Sequence, residues 1–204
     1  EGLAKIIMKQ ENGDPLRQAG RFLSKDYPNE EKALEGAGYI IADWMNENEV
    51  VRDRLRNSFL EHGVISAKVV KAKKEEADKY RDFFDFSQRL KNCPSYRLLA
   101  VLRGADEGVL KTKIEPNTDY IFEWMERFYV KGSNASSQLV IKATRDAYKR
   151  LLQPALETET KNHYKSLADD KSIATFSKNL EKLLLAAPVG AKRVLAIDPG
   201  FKSG

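Results

Sequence analysis

Cysteine and histidine are nearly missing from this 204-residue chain: Cys93 stands alone, with only His62 and His163. A single thiol excludes an internal disulfide and suits a reducing compartment. The two histidines lie far apart, with no carboxylate or cysteine at ligand spacing, so no metal site is expected. No apolar run approaches the ~18 residues that a membrane span requires. There is no phosphate-binding GxxxxGK[ST] loop, no HExxH, no CxxC pair and no GxSxG elbow. Acidic residues are plentiful but scattered along helix surfaces, where solvation and pairing are the default. The expectation is a protein that is not an enzyme, holds no cofactor and stays off the membrane. No signal peptide and no initiating Met are present, so the chain reads as an excised portion of a longer, cytoplasmic protein.

What is abundant is charge. Lys and Arg number 35 against 30 Asp and Glu, a net charge of +5, and charged residues make up 32% of the chain beside 42% hydrophobic ones. This composition points to helices, and the small basic excess favours a polyanionic partner without amounting to a basic tail.

The helical pattern begins at Asp14-Pro15, an N-cap followed by proline in the first helical position. Leu16, Ala19, Phe22 and Leu23 would form its apolar face before the Tyr27-Pro28 break. Asn29 caps a second helix in which Ala33, Ala37, Ile40, Ile41 and Trp44 recur at three- and four-residue spacing. Gly36 and Gly38 within it would admit a close neighbour. After an interruption at 46–48, a third helix turns Val50, Val51, Leu55 and Phe59 inward and stops at His62-Gly63. Residues 1–63 thus form a helix-turn-helix-like region, or equally a plain helical bundle.

From 64 to 190 a second, central helical region is expected. Val64 to Val70 is a weak strand candidate, with Val64, Ala67 and Val69 alternating. Lys68, Lys71, Lys73 and Lys74 make a basic run, readable as a solvated face or as a phosphate contact. YRDFFDF (Tyr80–Phe86) could stack bases, but its helical spacing favours core packing. Cys93-Pro94-Ser95 opens a helix that Arg103-Gly104 closes, and GVLKTKI (Gly108–Ile114) alternates apolar and basic residues like a short strand. From Asn117 the chain reads as helical almost to Ala187. Pro154 should bend or break it, and a final helix carries Ile173, Phe176, Leu180, Leu183 and Leu184. After Pro188-Val189-Gly190 comes a short apolar run, Val194 to Ile197, bounded by Asp198-Pro199-Gly200. It reads as a strand ending on a carboxylate, where metal-dependent phosphoryl-transfer folds often place a magnesium ligand. The fold class is therefore mainly α, with a helical bundle, long helices, one short β element near 108–114 and a terminal strand.

Three blocks carry a resemblance: YRDFFDF, PSYRLLAVLRGADEGVL (Pro94–Leu110) and RVLAIDPGFKSG (193–204). Together they resemble the Tex family of bacterial transcription accessory proteins, over most of the chain from about Asp14 onward. The resemblance implies that residues 191–204 begin a YqgF-type domain with the RNase H-like fold. In that domain Asp198 matches the first acidic position, incomplete as a catalytic site within this chain. It also implies a non-catalytic helical module associated with RNA or DNA. The candidate nucleic-acid-binding residues are Lys68, Lys71, Lys73, Lys74, Arg97 and Arg103. A second role consistent with the long helices is an architectural arm that docks the remaining domains or RNA polymerase. A part in a metal-dependent nuclease rests on Asp198 alone.

Overall fold

Short polar side chains set most of the helix starts. The computed structural model describes residues 1–187 except 76, together with 190, 191, 193, 195 and 196. Asp198, with Val194 and Ile197 of the apolar run before it, lies outside the described residues. Asp14 accepts from the Leu16 amide at 3.0 Å and starts α2 (Pro15–Ala19). Asn29 accepts from Lys32 at 2.9 Å to start α3 (Glu30–Glu47), and Asn48 accepts from Val51 at 3.2 Å to start α4 (Glu49–His62). Asn117 and Asn134 do the same for α6 (Thr118–Tyr129) and α7 (Ala135–Asp146). Each cap satisfies an amide that the helix cannot, a contribution of about 1 kcal/mol. α1 (Gly2–Lys9) and α5 (Ser95–Asp106) start without a side-chain cap, the latter after Pro94, as does the last described helix, which continues a preceding helical turn.

Three strands form one antiparallel sheet in the order β2-β1-β3: β1 (Val64–Val69), β2 (Asp85–Arg89) and β3 (Leu110–Glu115). Register puts Ile65 opposite Gln88 and Ile114, and Ala67 opposite Phe86 and Thr112. Because side chains alternate across a strand, these residues share one face. Beneath it lies a core built from Leu55 and Phe59 of α4, Leu98, Val101 and Leu102 of α5, and Leu152 and Leu156. The segment expected to be a weak strand is thus the central strand. Ala67 and Val69 do face the core together with Ile65, Val69 only partly covered, while Val64 falls on the other face with Ser66 and Lys68.

YRDFFDF is core material, as expected, though not in helical form. It runs through a 3₁₀ segment (Asp78–Phe83) into β2. Tyr80 is buried, and Phe83, Phe84 and Phe86 pack half-buried against the same core. α5 continues past Gly104 to Asp106, because Gly104 faces inward: a Cβ there would sit 2.7 Å from Leu110 Cδ1.

A second core joins α1, α3 and α7 through small residues: Ala4, Ala33, Ala37, Ala42, Ala143 and Ala147, around Ile7, Ile41, Met45 and Val140. Alanines let helix axes approach closely. Gly36 does the same for a ring, since Tyr27 Cε1 lies 2.5 Å from where a Cβ would stand. α1 is held at its end by Gln10, whose backbone turns left-handed (φ 56°). The Gln10 side chain donates to the Tyr129 carbonyl at 2.7 Å and accepts from the Lys131 amide at 2.8 Å; its own carbonyl accepts from Asn134 at 2.7 Å. Four residues expected to face inward point out instead. Val50 is 63% exposed at the first turn of α4, and of the Leu16, Ala19, Phe22 and Leu23 face only Ala19 is buried.

Pro154 has the expected effect by a specific route. The turn before it, Ala147–Leu152, widens to a π-helix in which the Gln153 amide donates to the Tyr148 carbonyl. The wider turn makes room for a proline that has no amide to donate. α8 (Gln153–Leu184) then runs on as a single helix of 32 residues, about 48 Å long, so the separate final helix of the sequence reading is its second half. Early in α8, Glu157 accepts from the Ile114 amide at 2.8 Å and so covers the outer edge of β3. No described helix is long and apolar enough to cross a membrane.

Candidate nucleic-acid interface

The basic run is exposed and lies along one end of the sheet. Lys68 points from β1 to the outer face, opposite Asp85 on β2 and Lys111 on β3. Lys71 and Lys73 sit in a 3₁₀ turn just beyond β1, followed by Lys74. That turn is folded against the start of β3: Val70 donates to the Val109 carbonyl at 2.9 Å, and Lys73 reaches over Gly108, whose positive φ of 70° turns the chain there.

Arg97 and Arg103 lie elsewhere. Both are exposed on α5, whose buried side packs against the inner face of the sheet, so they project from the opposite side to Lys68. The structure therefore gathers Lys68, Lys71, Lys73 and Lys74 into one strip and leaves the two arginines on another, about 9 Å apart along α5. None of the six forms an ion pair among the described residues, whereas Lys79, Lys91, Arg145, Arg150 and Lys165 each hold a carboxylate. In one such pair the hydrogen bond from Lys79 holds the Glu107 carboxyl below its ordinary value, with a weaker pull from Arg103.

Sequence reasoning missed three cations on the same outer face: Arg89, Lys111 and Lys113. GVLKTKI carried the signal for Lys111 and Lys113, because basic residues alternating with apolar ones must share the exposed side of a strand. Arg89 gave no comparable signal. Lys113 is neutralised by Glu115 at 2.6 Å, while Arg89 and Lys111 have no ion-pair partner among the described residues. The middle of the face is low, with Ser66 opposite Ser87 and the Ser66 hydroxyl donating to the Lys113 carbonyl at 3.4 Å. At the Arg89 end the face opens into a groove of about 660 Å³ that reaches His62 and the ring of Tyr120. Tyr120 is 48% exposed, and its hydroxyl accepts from Arg54 at 3.0 Å.

Other chemistry is sparse. The Cys93 thiol is half-buried, and burial pushes its pKa up, against a smaller opposing pull from Arg97, which leaves it a poor nucleophile. His163 packs edge-on against Tyr164 on α8, far along the chain from His62 at the end of α4. No group of three His, Cys, Asp or Glu side chains among the described residues is placed to hold a metal ion. Asp198, the acidic position implied by the resemblance, is outside the described residues.

Comparison with known proteins gives these features a setting. The family described as Tex central region-like matches residues 10–176. The chain is 34% identical over 209 residues to the YdcI protein of Bacillus subtilis, covering all of this chain and 29% of the relative. It is 32% identical over 211 residues to the transcriptional accessory protein Tex of Neisseria gonorrhoeae, covering 99% of the chain and 28% of the relative. The human S1 RNA-binding domain-containing protein 1 shares 27% identity over 186 residues, 83% of the chain and 18% of the relative. The chain thus spans less than a third of the length of these curated relatives. A match over residues 10–176, most of its length, places the chain in the Tex central region-like family.

Proposed function

We propose that this chain is a non-catalytic, nucleic-acid-associated helical region of a cytoplasmic transcription accessory protein. The observation that carries this reading is the exposed strip Lys68, Lys71, Lys73 and Lys74, without an ion pair among the described residues, with Arg97 and Arg103 as a second contact patch on α5. Fixed cations without carboxylate partners attract phosphates and release their counterions. The names of the relatives support the setting: one is a transcriptional accessory protein, another an S1 RNA-binding domain-containing protein. Titrating labelled RNA and DNA against the chain at about 50 and 200 mM salt tests this, since each phosphate contact contributes roughly −0.7 (single strand) to −0.9 (duplex) to the slope of log K against log salt. Binding that ignores salt, or no binding at the lower concentration, overturns the reading.

A second reading is favoured by one observation on α8. Ile173, Phe176, Leu183 and Leu184 form an apolar stripe that stands in solvent. The relatives are more than three times as long as this chain, and the stripe suits an arm that docks their further domains or RNA polymerase. A pull-down in which the chain captures neither counts against this arm.

A further inference from the structure

The outer face of the sheet narrows the nucleic-acid reading, on which the following rests. We infer that a single nucleic-acid strand runs along this face, its phosphates held by Lys68, Lys111 and Arg89 and a base seated against Tyr120.

The first argument is a tolerated cost. Lys68 and Lys111 are cross-strand partners in the register, and like charges directly opposite destabilise a sheet. Asp85 flanks Lys68 on the other side, yet neither lysine is in an ion pair among the described residues. A face selected only for solubility would separate or pair such charges, as Lys79–Glu107 and Arg150–Asp146 do elsewhere on the molecule. An anion lying between the two lysines removes the repulsion.

The second argument is shape. β1 is six residues long, and the face is about 20 Å by 10 Å at ordinary strand spacings. That is a track for one backbone. Its middle row sets Ser66 between Ser87 and Lys113: the two serines are low and offer hydroxyls that can donate to or accept from sugar and phosphate oxygens, while the Lys113 ammonium pairs with Glu115. The cations without an ion pair among the described residues stand at the two ends, Lys68 and Lys111 at one, and Arg89 at the other, where Glu115 flanks Val64 on the far side.

The third argument is the groove beside Arg89. The Tyr120 ring lines it half-exposed, its hydroxyl anchored by Arg54, so the ring is held in place with part of its surface open to a planar partner. Aromatic platforms beside a cationic track are how single strands are bound without sequence readout. Beyond the opposite end, Lys71, Lys73 and Lys74 extend the positive potential past the end of β1.

The test uses the whole chain, fluorescein-labelled oligo(U) and oligo(dT) of about twelve nucleotides, and a duplex of the same length. Three variants are compared with wild type: K68Q/R89Q/K111Q together, Tyr120→Ala, and K32Q/K142Q as a control that removes two positive charges from exposed positions of α3 and α7. Circular dichroism confirms that each is folded. The triple variant should weaken single-strand binding at least tenfold and reduce the salt slope by about 2, three contacts at roughly 0.7 each. Tyr120→Ala should weaken binding about tenfold with the slope unchanged, as expected for a lost stacking platform. The K32Q/K142Q change should stay within twofold. One of the two single strands binding more tightly than the duplex supports the track, and which of them does so identifies RNA or DNA as its ligand. Wild-type, salt-dependent binding that the triple variant leaves intact overturns the track while the broader reading survives; no oligonucleotide binding at about 50 mM salt overturns both. Tighter duplex binding, or displacement of the strand by polyglutamate at equal charge concentration, also overturns the track, the latter in favour of an acidic protein partner.

Discussion

In the first half of α8, Leu156, Thr160 and Ala168 are buried against α4, α5 and the sheet; in the second half, Ile173, Phe176, Leu183 and Leu184 stand in solvent. Both halves carry apolar residues at helical spacing. What separates them is the environment: the first half has neighbours from three other elements, and the second extends beyond them. Periodicity records that a face is suited to burial. It does not record what buries it.

The largest test of this contrast is a pair of truncations. Leu156→Ala should lower stability by about 3 kcal/mol in urea unfolding, the usual cost of a cavity at a closed site. Leu183→Ala should stay within about 0.5 kcal/mol. Equal losses would mean that the second half is covered in solution, by self-association for example.

Next comes alkali. Tyr148, in the π-helical turn that leads into the buried half, is fully buried and its hydroxyl has no hydrogen-bond partner among the described residues; burial pushes its pKa up to about 12. The unfolded chain releases that proton near pH 10, so between pH 10 and 12 it holds fewer protons than the folded chain. Stability should then fall as pH rises, by roughly 2 to 3 kcal/mol for this group, and level off above 12. Tyr148→Phe should remove that part of the slope and leave neutral-pH stability unchanged or slightly higher, because no bond is lost.

Smaller again is Tyr164→Phe. Its hydroxyl donates to the Leu60 carbonyl at 2.7 Å and ties the buried half to α4, so the loss should be about 1 kcal/mol. The smallest expected effect is in amide exchange around Leu183→Ser. Amides near 173–184 should exchange through local opening, faster than those near 156–168, and the substitution should leave both rates unchanged.

The parts of the fold legible in the sequence are those set by local chemistry. Asp14 and Asn29 announce their helices because an N-cap is a short-range interaction, and Pro154 announces its distortion because the missing amide is its own. β3 was visible in the alternation of GVLKTKI. α1 was not anticipated: it has no side-chain cap, and burial of Leu3, Ala4 and Ile7 comes from α3 and α7, distant in sequence. That β1 is the central strand is not legible in its own weak alternation, as both of its neighbours arrive from later in the chain. At the candidate site, Lys68, Lys71, Lys73 and Lys74 were readable because they are contiguous. Arg89 was not, because it becomes their neighbour only when β2 pairs with β1. That Arg97 and Arg103 project from the opposite side follows from packing that spacing does not encode.

Gln10 has a consequence for synthesis. Its partners, Tyr129, Lys131 and Asn134, follow it by more than a hundred residues. At about 5–20 residues per second, α1 waits on the order of ten seconds after translation before its clasp exists. During that interval Leu3, Ala4 and Ile7 need temporary shelter, so α1, made before the other described helices, is among the last of them to be locked.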